Sequence, residues 1–102
     1  MGENYCYNTI KLFYKINELR MIMKTIDAVS ERILELCKQK ELTINGLATI
    51  SAVPPSTLKN IINGTSKNPG IVTLKKLCDG LNISLPEFFD TITFQELEQE
   101  IQ

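Results

Sequence analysis

The sequence predicts an all-α chain built on five helices, and three observations predict it. Apolar residues recur at steps of three and four from Ile26 onward, the spacing of helices with one buried face. Helix-starting and helix-stopping residues fall between those runs. No segment reads convincingly as a strand, so the layers that must pack are helix on helix.

The elements follow in order. Ile26, Val29, Ile33, Leu36 and Cys37 form one stripe, with Ser30, Glu31, Arg32, Glu35 and Lys38 between them. Thr25 or Asp27 suits the start of this first helix, and Lys38 to Glu41 closes it with cations at its negative end. Cys37 is then a core residue. Thr43 is a natural N-cap for a second segment, Ile44 to Ser51, with apolar Leu47, Ala48 and Ile50. Pro54 and Pro55 force the chain to be extended through Val53 and Pro54. Pro55 itself suits the first helical position, where its missing N–H is not needed. The third helix buries Leu58, Ile61 and Ile62 and stops at Asn63-Gly64, since Gly64 can adopt the left-handed conformation. Pro69-Gly70 opens a fourth, with Ile71, Leu74, Leu77, Cys78 and Leu81 on one face. Ser84-Leu85-Pro86-Glu87 is a capping box that starts a fifth, burying Leu85, Phe88 and Phe89. Thr93-Phe94-Gln95-Glu96 repeats that signature and predicts a last, acidic helix with Phe94, Leu97 and Ile101 on one stripe. Between Ile10 and Met23 helical spacing competes with an extended reading.

Composition limits the rest. With 102 residues and 43% apolar content the chain holds one modest core. Residues 1–24 are assigned as an N-terminal extension, 25–91 as the packed domain and 92–102 as an acidic tail with helical signature. No apolar run approaches the roughly 20 residues that span a bilayer, and the first residues do not form a signal peptide, so a cytoplasmic protein is expected. The three cysteines are widely spaced and the chain has no histidine, so neither a disulfide framework nor a zinc site is supported. No metal or cofactor is expected, nor an enzyme: a metal-ligand cluster, a Gly-rich phosphate loop and a nucleophile with its base are all missing. Charge is uneven: +1 over residues 1–41, +4 over 42–78, which contain no acid, and −6 over 79–102. A basic middle beside an acidic tail suits a surface that faces a polyanion.

Two short helices joined by a tight turn, the second with small polar residues outside, are a helix-turn-helix. A helix entering the major groove needs side chains short enough for close approach and polar enough to bond base edges. Asparagine pairs with adenine and lysine with guanine. The run Asn63-Gly64-Thr65-Ser66-Lys67-Asn68 offers donors that suit phosphate oxygens. The alternative for Ser56 and Thr57 is that they serve the N-terminus of their own helix.

Residues 43–90, with the helix Ile26–Lys40 before them, resemble the Xre/Cro/cI-type, lambda-repressor-like helix-turn-helix family over roughly two-thirds of the chain. The resemblance rests on Ala48 facing the turn, Val53 in it, Leu58 and Ile61 on the inner face, N-G-x-x-x-N-P at Asn63–Pro69 and S-L-x-E-F-F at Ser84–Phe89. It implies base contacts from Pro55, Ser56, Lys59 and Asn60. Phosphate contacts would come from Thr43, Asn45, Thr57, Asn63, Thr65, Ser66 and Lys67. Three residues depart from the pattern: Ile44 replaces the usual glutamine, Ala52 the usual turn glycine and Pro55 a frequent polar reader. The family's pattern also begins close to Met23, which makes Met21 or Met23 the expected physiological start. The expected function is a duplex-DNA-binding transcriptional regulator, a repressor acting as a homodimer on an inverted repeat, with Phe88, Phe89, Phe94 and Leu97 as the dimer surface or, equally, as internal core. The other reading is an antitoxin or similar protein-interaction module, whose acidic tail would suit a basic toxin partner.

Overall fold

Met23 to Ile101 are the residues described by the computed structural model of the chain. The expectations for residues 1–22, including the proposed start at Met21, lie outside them. Six helices are described: α1 Thr25–Gln39, α2 Ile44–Ser51, α3 Pro55–Ile62, α4 Ile71–Leu81, α5 Leu85–Phe89 and α6 Ile92–Gln95. The first five are the predicted ones. At the start of α1 the N-cap is Lys24, whose N–H donates to the Asp27 carboxylate at 3.4 Å. Asp27 therefore serves the cap from one turn inside, and Thr25 is the first helical residue.

The core lies between α1 and the four helices that follow it. Ile33, Leu47, Leu58, Ile61, Leu77, Cys78, Leu81 and Phe88 are completely buried, each with less than 2% of its surface exposed. Burying an aliphatic or aromatic side chain of this size contributes about 1.5–3 kcal/mol, so these positions outweigh any surface pair in holding the helices together. Cys37 and Cys78 are free and buried, as expected of core residues, and burial pushes both thiols up from the usual range.

Three helices end in the left-handed conformation on a residue other than glycine: Glu41 (φ 57°), Ala52 (φ 56°) and Asn82 (φ 61°). Each end has the same pair of bonds. Leu42 N–H donates to Cys37 O at 2.9 Å, Val53 N–H to Ala48 O at 3.0 Å and Ile83 N–H to Cys78 O at 3.0 Å, while the left-handed residue itself donates three residues back. This is the Schellman arrangement, with its apolar residue folded back onto the helix. Val53 is buried, and Leu42 and Ile83 pack against the core.

Two expectations are corrected. Ile71 is 61% exposed rather than in the core, and its neighbour Val72 is 65% exposed. The first turn of α4 projects past the edge of the core, which begins at Leu74. The last helix does not start from a Thr93–Glu96 box. Thr91 is its N-cap, its Oγ1 accepting the Phe94 N–H at 3.4 Å, and the helix ends after four residues. Residues beyond it contact the start of α1 and the residue before its cap instead: Glu98 N–H donates to Met23 O at 3.3 Å, and Glu100 Oε2 accepts the Thr25 N–H at 3.2 Å. Phe88, by contrast, is completely buried, as the apolar face of the fifth helix predicts. Its ring lies 5.0 Å from that of Phe89 and 6.1 Å from that of Phe94, and the latter two meet edge to face at 4.9 Å. Phe89 and Phe94 are partly buried against the same core. The aromatic cluster is internal packing.

Candidate nucleic-acid interface

The site is built by local chemistry at both ends of a tight turn. Thr43 Oγ1 accepts the Gly46 N–H at 2.9 Å and fixes the start of α2. A side chain at Gly46 would put its Cβ 3.0 Å from that oxygen, so glycine keeps the cap uncrowded. Ala52 (φ 56°, ψ 39°) ends the helix. Pro54 is extended (φ −58°, ψ 137°) and Pro55 occupies the first position of α3, the arrangement the double proline predicts. Ile44, where the family pattern has glutamine, packs partly buried against the core.

Leu58 and Ile61 anchor the inner face of α3. Its other side leaves Pro55, Ser56, Lys59 and Asn60 exposed and Thr57 half-buried. No side-chain hydrogen bond caps α3, and neither Ser56 nor Thr57 bonds to the described residues. Their hydroxyls therefore do not serve the helix N-terminus. The Lys59 and Asn60 side chains are likewise without an intramolecular partner among the described residues.

The segment after α3 turns back on it. Gly64 (φ 84°) takes the left-handed conformation, and Ser66 N–H donates to Asn60 O at 2.9 Å. Asn63 Oδ1 accepts the Thr65 N–H at 2.9 Å, which uses the amide oxygen and leaves its NH2 group to donate outward. Thr43, Asn45, Asn63, Thr65 and Lys67 are exposed and Ser66 half-buried. All of the candidate base and phosphate residues therefore lie on the helix-turn-helix unit or the loop tied to its second helix. Lys75, in contrast, is paired with Asp79 one helical turn away.

Two positioning contacts escaped the sequence reading. Ser30 Oγ donates to Ile62 O at 2.7 Å and pins the last turn of α3 to α1. The Arg32 guanidinium donates to Phe88 O at 2.7 Å and to Glu87 O at 2.8 Å, holding the end of α5, and pairs with Glu35 at 2.8 Å. Both residues sit between core positions of α1, and sequence spacing carries no signal of partners 32 to 56 residues away.

The comparisons with known proteins agree with this geometry. The helix-turn-helix family pattern matches residues 33–88, just over half of the chain. The solved structure of the prophage Lp1 protein 11 is similar over 72% of this chain and 99% of that one, with 43% identity and a TM-score of 0.65. The HTH-type transcriptional regulator SlrR of Bacillus subtilis (strain 168) is 41% identical over 56 residues, which are 55% of this chain and 37% of that protein. The chain thus matches little more than a third of the length of this curated relative. The chain belongs to the helix-turn-helix family of the Xre/Cro/cI type.

Proposed function

We propose that this protein is a transcriptional regulator that binds duplex DNA by sequence, as a cytoplasmic repressor dimer on an inverted repeat. The observation that carries the reading is the outer face of α3. Ser56, Lys59 and Asn60 are exposed and unengaged there, whereas Ser30, Arg32, Ser84 and Glu87 are all bonded within the fold. In this reading Asn60 bonds adenine, Lys59 reaches guanine, Ser56 bonds either, and Pro55 offers apolar contact to a thymine methyl. Thr43, Asn45, Thr57, Asn63, Thr65, Ser66 and Lys67 hold the phosphates and fix the register. The name of the Bacillus subtilis relative, a transcriptional regulator, supports the same reading.

Dimerisation follows from the two-fold symmetry of inverted-repeat sites, with half-sites about one helical turn apart. Among the described residues the large apolar side chains exposed for such pairing are Leu34, Ile50, Ile71, Val72, Ile92 and Ile101, of which Ile71 and Val72 are adjacent in sequence; Phe88 is enclosed, and Phe89, Phe94 and Leu97 are only partly accessible. The protein-interaction reading drew on the acidic tail as a surface for a basic partner. With Glu98 and Glu100 engaged by α1, that reading has less support than DNA recognition.

The test is selection from a randomised duplex pool at two salt concentrations, with Asn60→Ala in parallel. An enriched inverted repeat whose adenine preference relaxes in the variant is the expected result. A pool that stays unenriched at low salt would remove DNA recognition and leave the protein-partner reading.

A further inference from the structure

The acidic segment after α6 delivers its charge to one place, the N-terminal end of α1. Lys24 Nζ pairs with Glu98 Oε1 at 3.5 Å, Glu98 N–H donates to Met23 O at 3.3 Å, and Glu100 Oε2 accepts the Thr25 N–H at 3.2 Å. Thr25 is the first residue of α1, so its N–H has no partner inside the helix, and a carboxylate there is favoured by the helix dipole. The seat is at the surface, with the Lys24 and Glu98 side chains each 39% exposed. Exposed pairs of this kind are individually weak and screened by salt.

The position of the seat gives it a consequence. Ser30, bonded to Ile62 at the end of α3, lies five residues along α1 from Thr25, the first residue of that helix, a separation of about 7.5 Å at the helical rise. The loop Asn63–Lys67 follows directly. A charge at the start of α1 is therefore within about one Debye length, ~10 Å at 0.1 M salt, of the end of the helix that faces DNA in the reading above.

We propose that residues 96–101 form a detachable acidic strap that, seated on α1, opposes the approach of a nucleic-acid polyanion to the α3 face. The inference rests on the DNA-binding reading. The strap acts by charge held in place: seated, its two carboxylates add repulsion at the edge of the interface, and released they are dispersed into solvent. Its effect is largest at low salt.

The experiment compares the unmodified chain with Glu98→Gln/Glu100→Gln and with Glu96→Gln, which removes a charge from the same segment but no contact with α1. Two quantities are read: amide hydrogen exchange at Thr25 without DNA, and affinity for a duplex of random sequence at low and high salt. The double variant is expected to exchange faster at Thr25 and to bind about three- to tenfold more tightly at low salt, the gain narrowing at high salt. Glu96→Gln is expected to leave Thr25 protected and to gain less. Unchanged Thr25 exchange in the double variant, unchanged affinity despite faster exchange, or an equal gain from Glu96→Gln would each overturn the strap while leaving DNA recognition in place. A chain that binds no duplex at any salt would overturn both.

Discussion

Replacing Ala52 with glycine should stabilise the protein, and the size of the gain can be worked from the turn. Ala52 sits at φ 56°, ψ 39°, where its Cβ crowds the neighbouring carbonyl; for an L-residue other than glycine this costs about 1–2 kcal/mol. Glycine removes that cost but has more freedom to lose on folding, a penalty of about 0.4–1 kcal/mol. Ala52 is exposed, so deleting its methyl group sacrifices little packing. The balance is a gain of about 0.5–1 kcal/mol. For a domain of this size that raises Tm by about 2–8 °C. Thermal melts followed by far-UV circular dichroism, and urea midpoints with an unchanged m-value, measure it. Two internal comparisons sharpen the reasoning. Glu41→Gly relieves the same kind of conformation at φ 57° and should also gain, whereas Asn82→Gly, at φ 61°, should gain less because asparagine tolerates this region. A Tm for Ala52→Gly that is unchanged or lower, with m unaltered, would refute the argument that this turn stores strain.

Four further outcomes are expected. Ser51 is 5% exposed and its hydroxyl has no partner among the described residues. Ser51→Ala should therefore raise stability in urea by about 1 kcal/mol. The same hydroxyl would lie 2.0 Å from a Cβ at Gly80, so Gly80→Ala should be tolerated better in the Ser51→Ala background, by at least about 0.5 kcal/mol in a double-mutant cycle. Arg32→Lys should lose about 2 kcal/mol in urea unfolding, because a lysine cannot reproduce the planar fork that bonds two carbonyls at the end of α5. The backbone N–H and hydroxyl of Ser84 hold the Glu87 carboxyl below the usual range, and hydrogen bonding by Thr25 does the same for Glu100. A carboxyl with a depressed folded pKa contributes stability that is fully present above its unfolded value, about 4.3, and is lost as pH falls through the folded one. Acid titration of stability should thus steepen below about pH 4.3, and Glu87→Gln should flatten part of that slope.

The sequence by itself determined the elements that depend on neighbours along the chain. Thr43 before α2, Pro54-Pro55 before α3, Gly64 after it and the Ser84–Glu87 box act within a few residues through backbone bonds and fixed dihedrals, so their effect could be read without knowing where any helix lies. The candidate interface was legible for the same reason, since its residues sit on one helical face and the loop that follows. Whether Ser56 and Thr57 cap their own helix or stand free was decided only when their surroundings were known. Tertiary structure also decided the pairings between distant elements: Ser30 with Ile62, Arg32 with Phe88, Glu100 with Thr25. Periodicity says which face of a helix is apolar but not how far a neighbour covers it. For that reason Ile71 fell outside the core. The acidic segment shows the same limit, because its local signature favoured a helix and contacts with α1, more than 70 residues away in sequence, ended it after one turn.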